Sequence, residues 1–438
     1  MTARAPAPVG EPAPPRATGL QVLRALKAGI IAWVPLALAG QAIAWFAFAV
    51  TGAFRPWSWV KIGLLHTIGV ARVGIDVHAA PPSSLRALFP DVFGPPSVRL
   101  YVAVGAGTLA AIVLLFRAGR DAGRDVGRDA SGRPARAALL GACVAPTFAA
   151  ASGLSSLLVS LRFPQAEVTS LRPVVWQAFV FPLVLAAACG AVGGLATARS
   201  AVERSGAGRR TSAIVRGGWH GFVWAITLAF LGFLLLATVR PAASAAYGRW
   251  LDGLGGTGGV IALEHALLLP DQSAGVLAVS TGSCVSLEAG GEASRLCLDG
   301  LDAGEGVTLL LTGGRAELPF GPGYLVFLLV PALGAVAGGR RAAEGARSRG
   351  ERLRRASWSG GVFGALVGLA AWAGSVVVVA DGRTVARLGA DPLEVAGLAV
   401  VWGVLGGLVG SFVPDRRGVP REPRVGQPAE VSSETSAK

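Results

Sequence analysis

The chain has 438 residues, of which 52% are hydrophobic and only 15% charged, and its mean hydropathy is +0.56. A soluble domain carries about 25% charged residues, so this composition excludes a string of water-soluble domains and points to helices in lipid. The net charge of +14 does not mark a nucleic-acid binder. The arginines fall in short turns between apolar runs, where membrane proteins carry their cytoplasmic charge, and their expected partners are anionic lipid head groups.

In chain order, Met1 to Gly19 is rich in Pro and Ala without an apolar period and is expected to be a disordered cytoplasmic tail. The run Ala28–Thr51 exceeds the roughly 7–15 residues of a signal-peptide core and is predicted to be the first span. Gly52–Arg99 is expected outside. Within it Trp57–Val77 is read as an amphipathic helix in the outer interface, residues 57–77, because Ser58, Lys61, Arg72 and Asp76 fall on one stripe at about 100° per residue. Further spans are predicted at Leu100–Phe116, Ala137–Leu161, Pro173–Ala198 and Gly217–Val239. Residues 240–319 are expected to form a small acidic cap. Its segment Val260–Leu287 is broken at Pro270 and Asp271, and reads as a re-entrant hairpin or a helix packed on the outer face. Phe320–Gly338, Ala356–Ala380 and Leu393–Val413 complete the spans, and residues 414–438 form a second disordered cytoplasmic tail. The fold class expected is all-α, a polytopic transmembrane bundle of about eight spans over residues 20–413.

Charge orients this bundle. The segment before the first span carries Arg4, Arg16, Arg24 and Lys27 against Glu11, a net +3. Arg117–Arg136 has six Arg and three Asp, Arg199–Arg216 five Arg and one Glu, and Arg340–Arg355 seven Arg and two Glu. Arg240–Pro319 is the reverse, with four Arg against nine acids. Short basic loops stay in the cytoplasm, and eight spans with both ends inside put each of these loops on its expected side. Gly52–Arg99 fits less well, since Arg55, Lys61, Arg72, Arg86 and Arg99 outnumber Asp76 and Asp91.

Ionisable groups at membrane depth often mark ion or proton pathways. Glu264, His265 and Asp271, in and just after the apolar part of the broken segment, are therefore the candidate pathway residues, against the plainer reading that they reach water at the outer interface. Cys284 and Cys297 flank the Gly290-Gly291 turn signal. Ser283–Leu287 and Ser294–Leu298 are expected to pair as a β-hairpin whose sulfurs bond in an oxidising compartment. Cys143 and Cys189 read as small core residues. His66, His78 and His265 lack metal-ligand spacing, so no metal and no other cofactor is expected. Gly253 to Gly258 matches a dinucleotide fingerprint by letters only, without the strand and acidic residue that it needs. The tetrads from Gly119 to Ala130 read as a solvated linker with Arg–Asp pairs at four-residue spacing. Glycines recur at four-residue spacing, as at Gly190 and Gly194, Gly360, Gly364 and Gly368, and Gly403 and Gly407, allowing close helix packing in the bundle or in a homodimer. Three helical hairpins around Arg-rich turns are the only internal repetition the sequence suggests, and positive-inside topology alone produces them.

Leu115-Phe116-Arg117-Ala118-Gly119-Arg120, Leu269-Pro270-Asp271-Gln272 and Val330-Pro331-Ala332-Leu333-Gly334, with the span layout, resemble actinobacterial polytopic membrane proteins that include a permease-like family linked to cell division. That resemblance implies a bundle in the bacterial cytoplasmic membrane that helps maintain the envelope or division machinery, with no catalytic residues to carry over. The expected function is a non-enzymatic accessory or scaffold protein. The runner-up is a transporter or channel with a path past Glu264 and His265. An intramembrane hydrolase is not expected, since no Gly-x-Ser-x-Gly, HExxH or paired intramembrane Asp motif is present.

Overall fold

The structure is a computed structural model that describes residues 19–51, 56–79, 97–127, 134–162, 168–197, 206–239, 249, 252, 262–263, 266–289, 292–298, 300–302 and 322–413. Eleven α-helices are described: α1 (Gly19–Thr51), α2 (Pro56–Gly69), α3 (Gly105–Gly127), α4 (Pro134–Ala142), α5 (Ala145–Leu158), α6 (Val175–Thr197), α7 (Gly206–Val239), α8 (Leu269–Ser280), α9 (Leu329–Ala343), α10 (Arg349–Ala373) and α11 (Pro392–Phe412). A 3-10 turn, Pro322–Leu328, leads into α9. Between them run nine strands: β1 (Ile75–Ala79), β2 (Ser97–Tyr101), β3 (Leu161–Arg162), β4 (Val168–Pro173), β5 (Val285–Ala289), β6 (Glu292–Cys297), β7 (Gly300–Asp302), β8 (Val376–Ala380) and β9 (Arg383–Ala390).

Seven helical segments among the described residues are long and apolar enough to cross a membrane, α4 and α5 counting together as one. Their large apolar side chains point outward, as at Leu38, Leu154, Val184, Leu235, Leu405 and Val409. A water-soluble protein would bury such residues; here they mark a membrane-embedded helical protein in contact with lipid. Helix α3 falls outside the seven because Arg117, Arg120, Asp121 and Arg124 occupy its second half. Pro146 stands in the first turn of α5, where it lacks the N–H to continue α4, and the break at Cys143–Val144 follows.

The strands correct several sequence expectations. The fold is not all-α, because the strands join into one sheet in the order β3-β4-β1-β2-β8-β9-β5-β6-β7. The helix expected over 57–77 ends at Gly69, and Ile75–Ala79 is strand. The span expected at Leu100–Phe116 begins in β2, and the one at Ala356–Ala380 ends in β8. A run such as Val376–Val379 is apolar enough to extend a helix on paper, but its β-branched residues favour the pleated backbone. The expected hairpin is present as β5 and β6, paired Val285 with Leu296 and Ser286 with Arg295. Strand β5 also pairs with β9 through Leu287 and Leu388, so the hairpin belongs to the sheet. The Cys284–Cys297 bond closes the hairpin, with Cα atoms 4.5 Å apart.

The element order also reveals a duplication. With the broken α4–α5 taken as one helix, residues 19–197 run long helix, short helix, two strands, helix, helix, two strands, helix; among the described residues, 206–412 repeat that order with β7 and the 3-10 turn added. The halves share their backbone contacts. A Cβ on Gly193 would meet the Phe116 carbonyl and Arg120 amide, and one on Gly410 the Val336 carbonyl and Arg340 amide. Gly190 abuts the Gly141 carbonyl as Gly407 abuts that of Ala356, and Gly29 faces Val144 and Thr147 as Gly218 faces Ser359 and Val362. Each half has its own core, around Leu115, Val144 and Phe148 in the first and Leu277, Phe363 and Val367 in the second. Both halves point the same way, so the repeat is parallel rather than inverted.

Backbone-to-backbone approach leaves no room for a methyl group, and overpacking typically costs about 1–3 kcal/mol. Gly190→Ala and Gly407→Ala should each lower stability by about that amount in unfolding measurements in detergent. Gly397→Ala, where an added Cβ meets nothing within 4 Å, should leave it unchanged or raise it.

Candidate functional site

The two halves meet at a buried arginine. Arg72 follows α2 in the turn to β1, with a left-handed φ of 57° and 6% exposure. The same turn in the second half, between α8 and β5, uses Gly282 at φ 98°. A left-handed position strains any residue but glycine, so an arginine there needs compensation from its side chain. It has it: the guanidinium crosses into the second half, where Nη1 donates to the Trp372 carbonyl and Nη2 donates to Ser375 Oγ at 2.8 Å. It also stacks 4.5 Å from the centroid of the Trp372 ring. Burial, helped by the like charge of Arg387, brings its pKa down to about 10, so it remains a cation at neutral pH.

Asp271 stands in the first turn of α8, where a carboxylate suits the helix N-terminus. Its Oδ2 accepts from the Gly105 N–H at 3.1 Å, tying α8 of the second half to the start of α3 in the first. Burial pushes its carboxyl up to about 6, against the opposing pull of the Gly105 bond and of the Arg72 charge. The group therefore exchanges a proton near neutrality.

Asp271 also lines a cavity of about 500 Å³. Helix α8 forms one wall, and β5, β6, β8 and β9 form another. Phe233 of α7, Phe327 of the 3-10 turn and the Ala371–Val376 corner contribute to the rest. The lining is mostly apolar, with Asp271, Gln272, Ser280 and Ser375 as its hydrophilic members and Cys297 placing the disulfide at its edge. This is the composition of a small-molecule pocket, an apolar body with a few fixed polar groups.

Of the residues singled out from sequence, Asp271 lies at this junction, while Glu264 and His265 lie outside the described residues. The histidines are not brought together: His66 Nδ1 lies 2.9 Å from the Ile62 carbonyl of its own helix, and His78 is exposed on β1. Arg72 and Ser375 were missed as site residues. Arg72 was visible as a surplus charge in Gly52–Arg99 and as a member of the polar stripe over 57–77, and the structure gives Lys61, Arg72 and Arg99 protein partners. Lys61 Nζ donates to the Ser160 carbonyl at 2.9 Å, and Arg99 Nε donates to Asp76 Oδ1 at 2.6 Å across the β1–β2 pair. Arg124 pairs with Asp121 at 3.2 Å, three residues away rather than the four expected.

An acid whose pKa is raised by folding binds its proton more tightly in the native state. The native state is then favoured at low pH, and that advantage is lost as pH rises through the folded value. Wild-type melting temperature should therefore fall from about pH 4 to about pH 7 relative to Asp271→Asn, which keeps an acceptor for Gly105, and the two curves should converge at the acid end. Parallel curves across that window would show that Asp271 titrates as in water.

Comparison of the chain with family models finds no match, and comparison with curated proteins and with solved structures finds none either.

Proposed function

We propose that the chain is a multi-pass protein of the bacterial cytoplasmic membrane that acts as a non-enzymatic accessory or scaffold in envelope maintenance or division. In this reading it has eight spans, the eighth being α3. Helix α3 holds the place in the first half that α9 holds in the second, and it packs along α6 as α9 packs along α11, at Gly193 and Gly410. The Arg-rich turns lie in the cytoplasm and the sheet lies outside, because carrying guanidinium groups across hydrocarbon is unfavourable.

The observation that carries the scaffold reading is the pairing of β2 with β8. Arg99, Leu100 and Tyr101 of the first half pair with Val379, Val378 and Val377 of the second, so the sheet runs unbroken across the duplication. Parallel-repeat transporters work largely by moving one half against the other. Here such an opening on the sheet side would break a strand ladder and pull the Arg72 guanidinium from its partners. The cavity beside Asp271 favours the second reading, a transporter or channel whose path passes that carboxylate.

Locking the halves separates these readings. Leu100→Cys with Val378→Cys places a thiol pair at directly opposed positions of the β2–β8 ladder. A scaffold bearing the closed bond should still restore the envelope of a deletion strain to wild-type integrity. Loss of complementation that returns on reduction would contradict the scaffold and favour a moving carrier.

A further inference from the structure

At the end of the bundle opposite the sheet, the turn between α9 and α10 holds an excess of arginine that its own acids do not neutralise. Glu344 pairs with Arg341, and Glu351 takes Arg355 Nη2 at 2.7 Å and Arg210 Nε at 3.3 Å. Arg340, Arg347, Arg349, Arg352 and Arg354 are left with no carboxylate partner among the described residues, and Arg347, Arg349 and Arg352 stand together. These three line a cavity of about 330 Å³ with Ser348, Leu353 and Phe412. The Arg349 guanidinium carbon lies 5.3 Å from the Phe412 ring centroid, holding the charge beside an apolar wall. The cavity opens at the first turn of α10, a 25-residue helix whose N-terminus adds a positive end to the arginines.

An apolar track leads away from this basic cavity. Val401, Leu405, Val409 and Phe412 recur every three or four residues along α11, so they share one face. Each is between 55% and 58% exposed. Basic pockets beside spanning helices on the cytoplasmic side suit lipid head groups, and the stripe supplies a bed for the attached chain. Two of the three arginines have no counterpart among the described residues of the first half. Gly141 and Ala356 hold equivalent places against Gly190 and Gly407, which puts Pro134 and Ala137 where the second half has Arg349 and Arg352.

We infer that Arg347, Arg349 and Arg352 form a binding site for the phosphate of an anionic phospholipid, whose acyl chain lies along the Val401–Phe412 face of α11. The site rests on the reading that this turn faces the cytoplasm.

The test uses the full chain in phosphatidylcholine nanodiscs, titrated with phosphatidylglycerol and read by native mass spectrometry. Arg349→Gln with Arg352→Gln should weaken the first bound phosphatidylglycerol by roughly tenfold or more. Arg120→Gln with Arg124→Gln, which removes the same charge from another turn, should change it less than about twofold. Arg349→Lys with Arg352→Lys should recover part of the binding, and unchanged melting temperatures would show that the variants fold. Equal losses from the two Gln pairs, or none from the first, would overturn the site. Competition by glycerol phosphate as effective as that by the lipid would overturn the lipid as its occupant. Labelling Ser348→Cys with an impermeant thiol reagent reports the sidedness separately, so a failed topology and a failed lipid site give different results.

Discussion

A guanidinium group is among the costliest side chains to place in hydrocarbon, and the whole arrangement follows from where this chain keeps its arginines. The end of α3, the start of α7, the end of α9 and the start of α10 are arginine-rich, and each is a helix end away from the strands. With the basic turns collected at one end, the connections at the other are free to become strands. Those strands must pair, because an unpartnered backbone amide in an apolar setting is itself expensive. The nine-stranded sheet is the result: it satisfies the segments where the chain leaves its helices.

Duplication solves the same packing problem twice. In each half the helices meet through glycine against a carbonyl, and the matching pairs (Gly193 with Phe116, Gly410 with Val336) show that the backbone path is shared although few side chains are. One difference between the halves sits at the junction. Arg72 stands where the second half has Gly282, and its side chain reaches Trp372 and Ser375 of the other half. A strained backbone position held by a buried, bonded cation is a feature that persists only when its surroundings over-determine it. Here it fastens one repeat to the other beside the cavity that Asp271 lines.

The sequence discloses the apolar helices well, because runs such as Leu393–Val413 have no other stable fate than a span. It also discloses the β5–β6 hairpin and its disulfide, since two cysteines flanking a Gly-Gly turn sit at facing positions. It hides the rest of the sheet. Val376–Ala380 and Leu100–Tyr101 are as apolar as the helices they adjoin, so composition merges strand and span into one run. The duplication is equally hidden, being written in backbone contacts of single glycines rather than in repeated motifs. Asp271 is legible as an acid next to a helix-breaking proline. Arg72 is not, because its significance lies in partners 300 residues away along the chain.

The central claim is that the sheet and the arginine turns lie on opposite sides of a membrane, the turns inside. Single cysteines at Asp381, in the β8–β9 turn, and at Arg354, near the start of α10, test it in a chain whose Cys143 and Cys189 are replaced by Ala. In intact cells a membrane-impermeant maleimide should label the cysteine at 381, and should label the one at 354 only after the membrane is permeabilised. Labelling of both from the same side, or of position 354 alone in intact cells, would contradict the account.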